Sequence, residues 1–371
     1  MGVLREIGRI PSYVTGGILY HLAGPLFTAK PRMVQFPVCD RCNARCIMCN
    51  RWQKDTGKEI SLEKIREVFD NRLFSRVEDV SLHGGEPTLR KDLAGICQIL
   101  QDSCPRLKSI WISTNGFGPR RVDERVQEII RAVDFHKLRE MGINVSIDGL
   151  EETHDRIRGV RGGFRQSIET IKLLKRHAAN YPIKISIGTV IQPLNLGQID
   201  ELEKLASDLG VPIFFQPLMF DKFFNIADHS GLVFSQEEKE DYQRIISQKF
   251  ARGSSSTSFY WRDLLSVMNG ATRKTPCAFD RYVLSLYPTG EILPCSQEDW
   301  ILFGNVYEQS VDRIWFSPRA KEIRRRVKRE VCPTCPSYCG IEFSVRQEFF
   351  AYLLFFLKQK TRRLSPQLRG K

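Results

Sequence analysis

Three cysteines carry the first chemical signal in this chain: Cys42, Cys46 and Cys49, spaced Cys-x3-Cys-x2-Cys. Three thiolates are one short of the tetrahedral set that zinc takes in structural sites. They suit a [4Fe–4S] cluster, where each thiolate binds a different iron and the fourth iron stays open to a substrate or cofactor. A structural zinc site completed by a distant ligand is the competing reading. A second group lies far along the chain, at Cys277, Cys295, Cys332, Cys335 and Cys339. With no export signal ahead of them, cysteines in two tight clusters read as metal ligands rather than a disulfide framework. Cys39 is out of register with the first group, and Cys97 and Cys104 lie on and just after a helical pattern. These three read as packing thiols.

Polar motifs follow at regular intervals. Gly84-Gly85-Glu86-Pro87 ends a second β-rich run, Ser113-Thr114-Asn115-Gly116 a third and Ser146-Ile147-Asp148-Gly149 a fourth. Together with Cys-x3-Cys-x2-Cys after the first run, this order resembles the radical S-adenosylmethionine superfamily. The resemblance implies that S-adenosylmethionine chelates the open iron through its amino and carboxylate groups. It places Gly84 and Gly85 where backbone approaches the amino group, and Glu86 where a carboxylate accepts from it. Similar enzymes use a Ser in the fourth motif and an Arg twelve residues later for ribose and carboxylate. Here those positions are Ser146 and Arg158, the latter within His154-Asp155-Arg156-Ile157-Arg158-Gly159. A guanidinium fork suits a carboxylate. Asn115 and Asp148 fall to the nucleoside. The residue before the third cysteine is often aromatic in the family, whereas here it is Met48; backbone and packing carry most of that position's role. The implied reaction is one-electron cleavage of the sulfonium to a 5′-deoxyadenosyl radical, which abstracts hydrogen from an unactivated C–H bond. An iron–sulfur electron carrier or scaffold that never cleaves S-adenosylmethionine is the rival class, but a carrier needs no nucleoside motifs.

The second group resembles the SPASM/twitch extension of peptide-modifying radical enzymes, which holds auxiliary [4Fe–4S] clusters. Full domains carry more cysteines and two clusters. Five thiols allow one fully ligated cluster with one to spare, and Cys277, Cys295, Cys332 and Cys335 are the expected ligands, with Cys339 as substitute or neighbour. A zinc-stapled domain is the alternative. Asp280, Glu298 and Asp299 are candidate acid–base partners near this group, though carboxylates of this kind are more often plain surface groups.

These residues need a scaffold. Short β-rich runs at 33–39, 77–83, 108–113, 143–147, 183–190 and 212–216 alternate with helical patterns near 61–71, 90–103, 121–140, 163–178 and 195–209. Such alternation predicts an α/β fold, a parallel sheet with helices outside, curled by right-handed crossovers into a partial (β/α)6 TIM-like barrel. Loops after strands then form its catalytic face. The expected domains are a lead-in at 1–32, the barrel at 33–225, a bridge at 226–276, a small metal-stapled domain at 277–345 and a tail at 346–371. Helices near 236–250 and 260–269 belong to the bridge.

The 371 residues carry a formal charge of +13, mean hydropathy −0.28 and 42% apolar residues. Those are values of a folded chain, and no apolar run approaches the ~20 residues of a bilayer span. Residues 319–371 hold fourteen Lys/Arg and four Glu, so most of the basic excess lies there. Phe349 to Leu357 is an unbroken apolar run followed by Lys358, Lys360, Arg362 and Arg363. It fits either an interfacial anchor beside anionic headgroups or a buried helix. No nucleic-acid module accompanies the charges. The expected partners are S-adenosylmethionine, a reductant such as flavodoxin or ferredoxin, and a peptide or lipid-linked substrate. The expected location is the reducing cytoplasm, with peripheral contact to the inner face of a membrane.

Overall fold

The structure is a computed structural model. It describes residues 28–54, 59–219, 224, 230–252, 255–275, 277, 279, 281–295, 297–298, 300–336 and 352–355. Cys339, Asp280, Asp299, the lead-in up to 27 and most of the tail lie outside these residues.

Six parallel strands alternate with helices as the hydrophobic pattern predicts. They are β1 (Met33–Cys39), α1 (Leu62–Phe69), β2 (Asp79–Gly84), α2 (Leu93–Ser103), β3 (Ser109–Thr114), α3 (Pro119–Ala132) and β4 (Glu140–Ser146). Then come α4 (Glu151–Arg158), α5 (Gly163–Ala178), β5 (Ile183–Ile191), α6 (Ile199–Leu209) and β6 (Ile213–Pro217). Helix starts follow the capping chemistry of the sequence: the Ser61 hydroxyl accepts from the Lys64 N–H at 3.3 Å. Val122, Val126 and Ile129 recur at helical spacing and bury α3 on the sheet.

The two faces of the sheet differ. Val80 and Leu82, Ile110 and Ile112, and Met141, Ile143 and Val145 are buried against the helices. The alternate residues Ser81 and His83, Trp111 and Ser113, and Asn144 and Ser146 are half-buried. Parallel sheets covered on both faces read as continuous apolar runs. The alternate face of these three strands is instead polar apart from Trp111. Ser186 Oγ donates to Asn144 Oδ1, its register partner on the neighbouring strand, at 3.0 Å.

Three more strands extend the sheet. They are β7 (Val283–Leu286), β8 (Glu291–Leu293) and β9 (Gly304–Asn305), and the order is β6-β5-β4-β3-β2-β1-β7-β8-β9. The barrel is therefore an open one, with β6 and β9 as its edges among the described residues. β7 runs parallel to β1, pairing Val283 with Met33, so the sheet continues past the boundary expected at 277. The signal was a hairpin. Tyr287 N–H donates to Glu291 O at 2.9 Å and Gly290 sits at φ +90° between the strands, the three-residue loop with a left-handed glycine.

Two helical boundaries also differ from expectation. α3 ends at Ala132 because Asp134 takes over the backbone: its carboxylate accepts from His136 N–H, and its own N–H goes to Gln101 Oε1, both at 2.8 Å. The eight-residue α4 has only His154 and Ile157 as buried residues, too few for a periodic signal.

The chain divides into two compact units. One comprises Lys30–Phe234 with Val283–Ile323. The other, among the described residues, comprises 28–29, Ser235–Tyr282, 324–336 and 352–355. In this second unit α7 (Gln236–Ile245) starts with a reciprocal Ser235–Glu238 capping box. α8 (Ser256–Met268) follows, and its Trp261 stacks on Phe250 at 4.8 Å. In sequence, α9 (Val311–Phe316, six residues), which belongs to the first unit, and α10 (Pro318–Glu330, thirteen residues) complete the described α-helices. No described helix is long and apolar enough to cross a membrane.

Candidate functional site

β1 delivers the cysteine loop to the C-terminal end of the sheet. Two neighbours pin it there. Gly85 and Glu86 N–H groups donate to the Cys39 and Arg41 carbonyls at 2.8 Å each. Arg45 and Ile47 N–H groups donate to the Arg158 and Ile157 carbonyls at 2.9 Å each, the C-terminal end of α4. The glycines are what allow this. A Cβ on Gly85 would stand 2.1 Å from the Arg41 oxygen, and one on Gly84 2.3 Å from the Cys39 oxygen. Gly84 and Gly85 therefore serve close approach to the cysteine loop itself.

Cys46 is buried with Ala44, Met48, Phe117, Ile157 and Leu232, and Cys42 and Cys49 pack against this cluster. N–H donors reach two of the sulfurs. Ala44 N–H lies 3.4 Å from Cys42 Sγ, the Asn115 amide 3.8 Å from the same atom, and Arg158 Nη1 3.7 Å from Cys46 Sγ. Burial pushes the Cys42 thiol up to about 12 and Cys49 up to about 11, and raises Cys46 as well. Such thiols keep their protons until a metal displaces them. No three His, Cys, Asp or Glu side chains among the described residues converge as ligands of a single metal ion. Thiols that each take a different iron of one cluster need not converge that way. Three thiols on one pinned loop, screened by apolar neighbours and met by N–H donors, fit an iron–sulfur cluster.

The nucleoside motifs surround this loop, with a division of labour the sequence did not show. Glu86 is fully buried. Its Oε1 accepts from Thr88 N–H at 3.2 Å and from the Thr88 and Thr114 hydroxyls at 2.7 Å each, and its Oε2 from Asn115 N–H at 2.8 Å. With no exposed surface it is a strut between the second and third motifs. The Asn115 amide donates to Asn43 Oδ1 at 2.7 Å, tying the third motif to the cysteine loop.

Asp148 is also fully buried, and Arg158 Nη2 lies 2.5 Å from its Oδ2. Its Oδ1 accepts from Val190 N–H at 2.7 Å, and its carbonyl accepts from the Asn195 amide at 2.8 Å. Burial raises the Asp148 carboxyl against the pull of the Arg158 guanidinium. Asp148 is thus paired with Arg158 inside the protein. Arg158 spans from Asp148 to Cys46, and its Nε is buried with no described partner, a donor free for an incoming acceptor. Ser146 is half-buried at the end of β4, level with Gly188 of β5.

Sequence reasoning missed Asn43, His154 and Asn195. His154 is fully buried between Phe117 and Phe164, each 6.0 Å away centroid to centroid. Burial holds it neutral, its pKa lowered to about 3, and its Nδ1 accepts from Asp148 N–H at 3.1 Å. Asn195 could have been found, since it follows β5 as the other motifs follow their strands.

Cys277, Cys332 and Cys335 lie in the second unit, and Cys295 follows β8 in the first. Cys332–Thr334 forms a 3-10 turn. Glu298 is exposed. Cys39, Cys97 and Cys104 are buried in the first unit as packing thiols.

Residues 36–206 match the radical SAM superfamily, and residues 277–337 match SPASM, an iron–sulfur cluster-binding domain. The chain carries a radical SAM domain followed by a SPASM iron–sulfur cluster-binding domain. It is an enzyme of that class with a SPASM region, and its cofactors are [4Fe–4S] clusters and S-adenosylmethionine. It is 25% identical over 311 residues to the AdoMet-dependent heme synthase of Methanosarcina barkeri, covering 78% of this chain and 83% of that one. It is 28% identical over 327 residues to the sporulation killing factor maturation protein SkfB of Bacillus subtilis, covering 84% and 71%. Streptococcus suis SuiB, solved bound to its precursor peptide SuiA, superimposes with a TM-score of 0.55 at 15% identity, covering 85% of this chain and 73% of that one. At that identity the likeness concerns the fold.

Proposed function

We propose that this enzyme cleaves S-adenosylmethionine reductively and abstracts hydrogen from a peptide or protein substrate. The observation that carries the reading is Arg158, which joins the thiol of Cys46 to the buried Asp148 and keeps an unpartnered Nε. A cluster held by Cys42, Cys46 and Cys49 would supply the electron that breaks the carbon–sulfur bond. The chain's own residues bind and orient. Arg158 presents its unpartnered Nε–H to the cofactor carboxylate, and Asp148 and His154 hold that guanidinium in place. Ser146, at the strand end, offers a hydroxyl to the ribose. Glu86 and Asn115 lock the second and third motifs onto the cysteine loop. Met48, Phe117 and Ile157 exclude water from the thiols.

The peptide reading draws support from SkfB, a maturation protein, and from SuiB, which binds a precursor peptide. The polar face of the sheet suits a substrate with many hydrogen-bonding groups. The same chain's likeness to a heme synthase makes a tetrapyrrole the comparison substrate. Cys277, Cys295, Cys332 and Cys335 are proposed to hold the auxiliary cluster, and a flavodoxin or ferredoxin to supply the electron. The test is anaerobic reconstitution, then dithionite with S-adenosylmethionine. Formation of 5′-deoxyadenosine by the native chain, and none after Cys42, Cys46 and Cys49 are replaced by Ala, is expected. Equal product from both would refute the assignment.

A further inference from the structure

The second unit contains a guanidinium whose placement the radical chemistry does not explain. Arg273 follows α8 and makes three bonds that close the unit around the Cys332–Cys335 turn. Its N–H donates to the Pro333 carbonyl at 2.8 Å, its Nη1 to the Cys335 carbonyl at 3.3 Å, and its Nε to the Thr275 carbonyl at 2.8 Å. The Tyr260 hydroxyl donates to the Pro336 carbonyl beside them. The nearby carboxylate, Asp263, is taken by the backbone. It accepts from Lys274 N–H at 2.9 Å and Thr275 N–H at 2.7 Å. Among the described residues no carboxylate forms an ion pair with Arg273.

A guanidinium drawn out of water without a carboxylate needs another source of negative charge. The bond from Nη1 to the Cys335 carbonyl holds the guanidinium beside the Cys332–Cys335 turn. A thiol supplies that charge only as thiolate, which is the state a metal ligand adopts.

We propose that Arg273 is a positioning residue for the auxiliary iron–sulfur centre, clamping the Cys332–Cys335 turn and holding a fixed positive charge beside its thiolate ligands. This rests on the proposed ligation by Cys277, Cys332 and Cys335. Net charge and hydrogen bonds around a cluster set its reduction potential. Reduction adds a negative charge, so a fixed cation favours the reduced form and raises the potential.

The experiment uses the full chain with Cys42, Cys46 and Cys49 replaced by Ala, so that only the auxiliary centre remains. Iron content and the potential from an EPR-monitored redox titration are measured for this background, for Arg273→Gln and for Arg273→Lys. The expected result is about four irons in the background. Arg273→Gln should shift the reduction equilibrium about tenfold toward the oxidised form, which for a one-electron couple is about 59 mV. Arg273→Lys keeps the charge and should keep the potential. A background without iron overturns the ligand assignment and the inference with it. Iron retained with an unchanged potential in Arg273→Gln overturns the inference alone. If Arg273→Gln cannot hold iron, Arg273→Lys decides: iron and potential retained support the charge, and iron lost there too reduces Arg273 to a structural clamp and overturns it.

Discussion

Glu86 shows how a motif residue can matter without meeting a ligand. Its carboxylate is sealed inside the protein and gathers donors from Thr88, Thr114 and Asn115. Glu86→Gln keeps the shape but sets an amide N–H against one of those donors. One unsatisfied buried pair costs about 1–3 kcal/mol. We expect lower stability in denaturant titration and a raised KM for S-adenosylmethionine, from displaced motifs. Arg158→Gln should act more directly. It leaves Asp148 buried without its cation and removes the unpartnered donor. A KM for S-adenosylmethionine raised at least about tenfold is expected, the equivalent of about 1.4 kcal/mol. Unchanged kinetics would contradict the carboxylate assignment. Both residues were legible as members of the site, because their spacing from the strand ends is local in sequence. Their roles were not, because a buried strut and a ligand contact use the same residue types. Only three-dimensional partners such as His154 and Asn195 tell them apart.

Among the elements, the start of β2 is held by charge. Glu78 precedes the strand and accepts from Arg32 Nε at 2.8 Å and Lys108 Nζ at 2.6 Å, joining the approaches to β1 and β3. Burial alone would raise its carboxyl, but the Lys108 and Arg32 donors outweigh that and lower it. A carboxyl whose pKa falls on folding stabilises the fold above its unfolded value, about 4.3, and loses that contribution as pH drops through the folded value. Both cations are partly exposed, at 33% and 48% of the side chain. Screening therefore limits the contribution to about 1–2 kcal/mol. Glu78→Gln should lower stability by that amount at pH 7 and converge with the native chain in acid titrations as pH falls through the lowered folded value. β4 carries a steric counterpart, since a Cβ on Gly142 would lie 2.2 Å from the Trp111 ring. The six-strand rhythm was readable because one face of each strand is consistently apolar. β7 was not, because Pro288 and Gly290 read as loop punctuation while the hairpin they make lies between short strands, and its pairing partner β1 is some 250 residues away.

For the whole molecule, the open question from the sequence was the apolar run from Phe349 to Leu357, which suited an anchor or a packed helix equally. Hydropathy cannot separate these, because lipid and core reward the same residues. The described stretch, 352–355, answers for two side chains. Tyr352 and Phe355 are 4% and 9% exposed, with ring centroids 5.8 and 5.2 Å from that of Phe259 in the same unit. Arg262 lies over the Phe355 ring at 4.8 Å. Truncating a buried aromatic to Ala costs about 3–5 kcal/mol. Leu354, at 59% exposed, marks the outer side and should cost little. The prediction is therefore a contrast within three neighbours. Tyr352→Ala and Phe355→Ala should lower the unfolding midpoint and release iron from the auxiliary centre on mild heating, while Leu354→Ala leaves both unchanged. Iron analysis of the native chain, expected at about eight irons for two clusters, sets the baseline. The anchor account predicts the reverse pattern: all three variants as stable as the native chain, and each weaker in cosedimentation with anionic vesicles. Stability that falls only where the rings are buried would fix this segment as core.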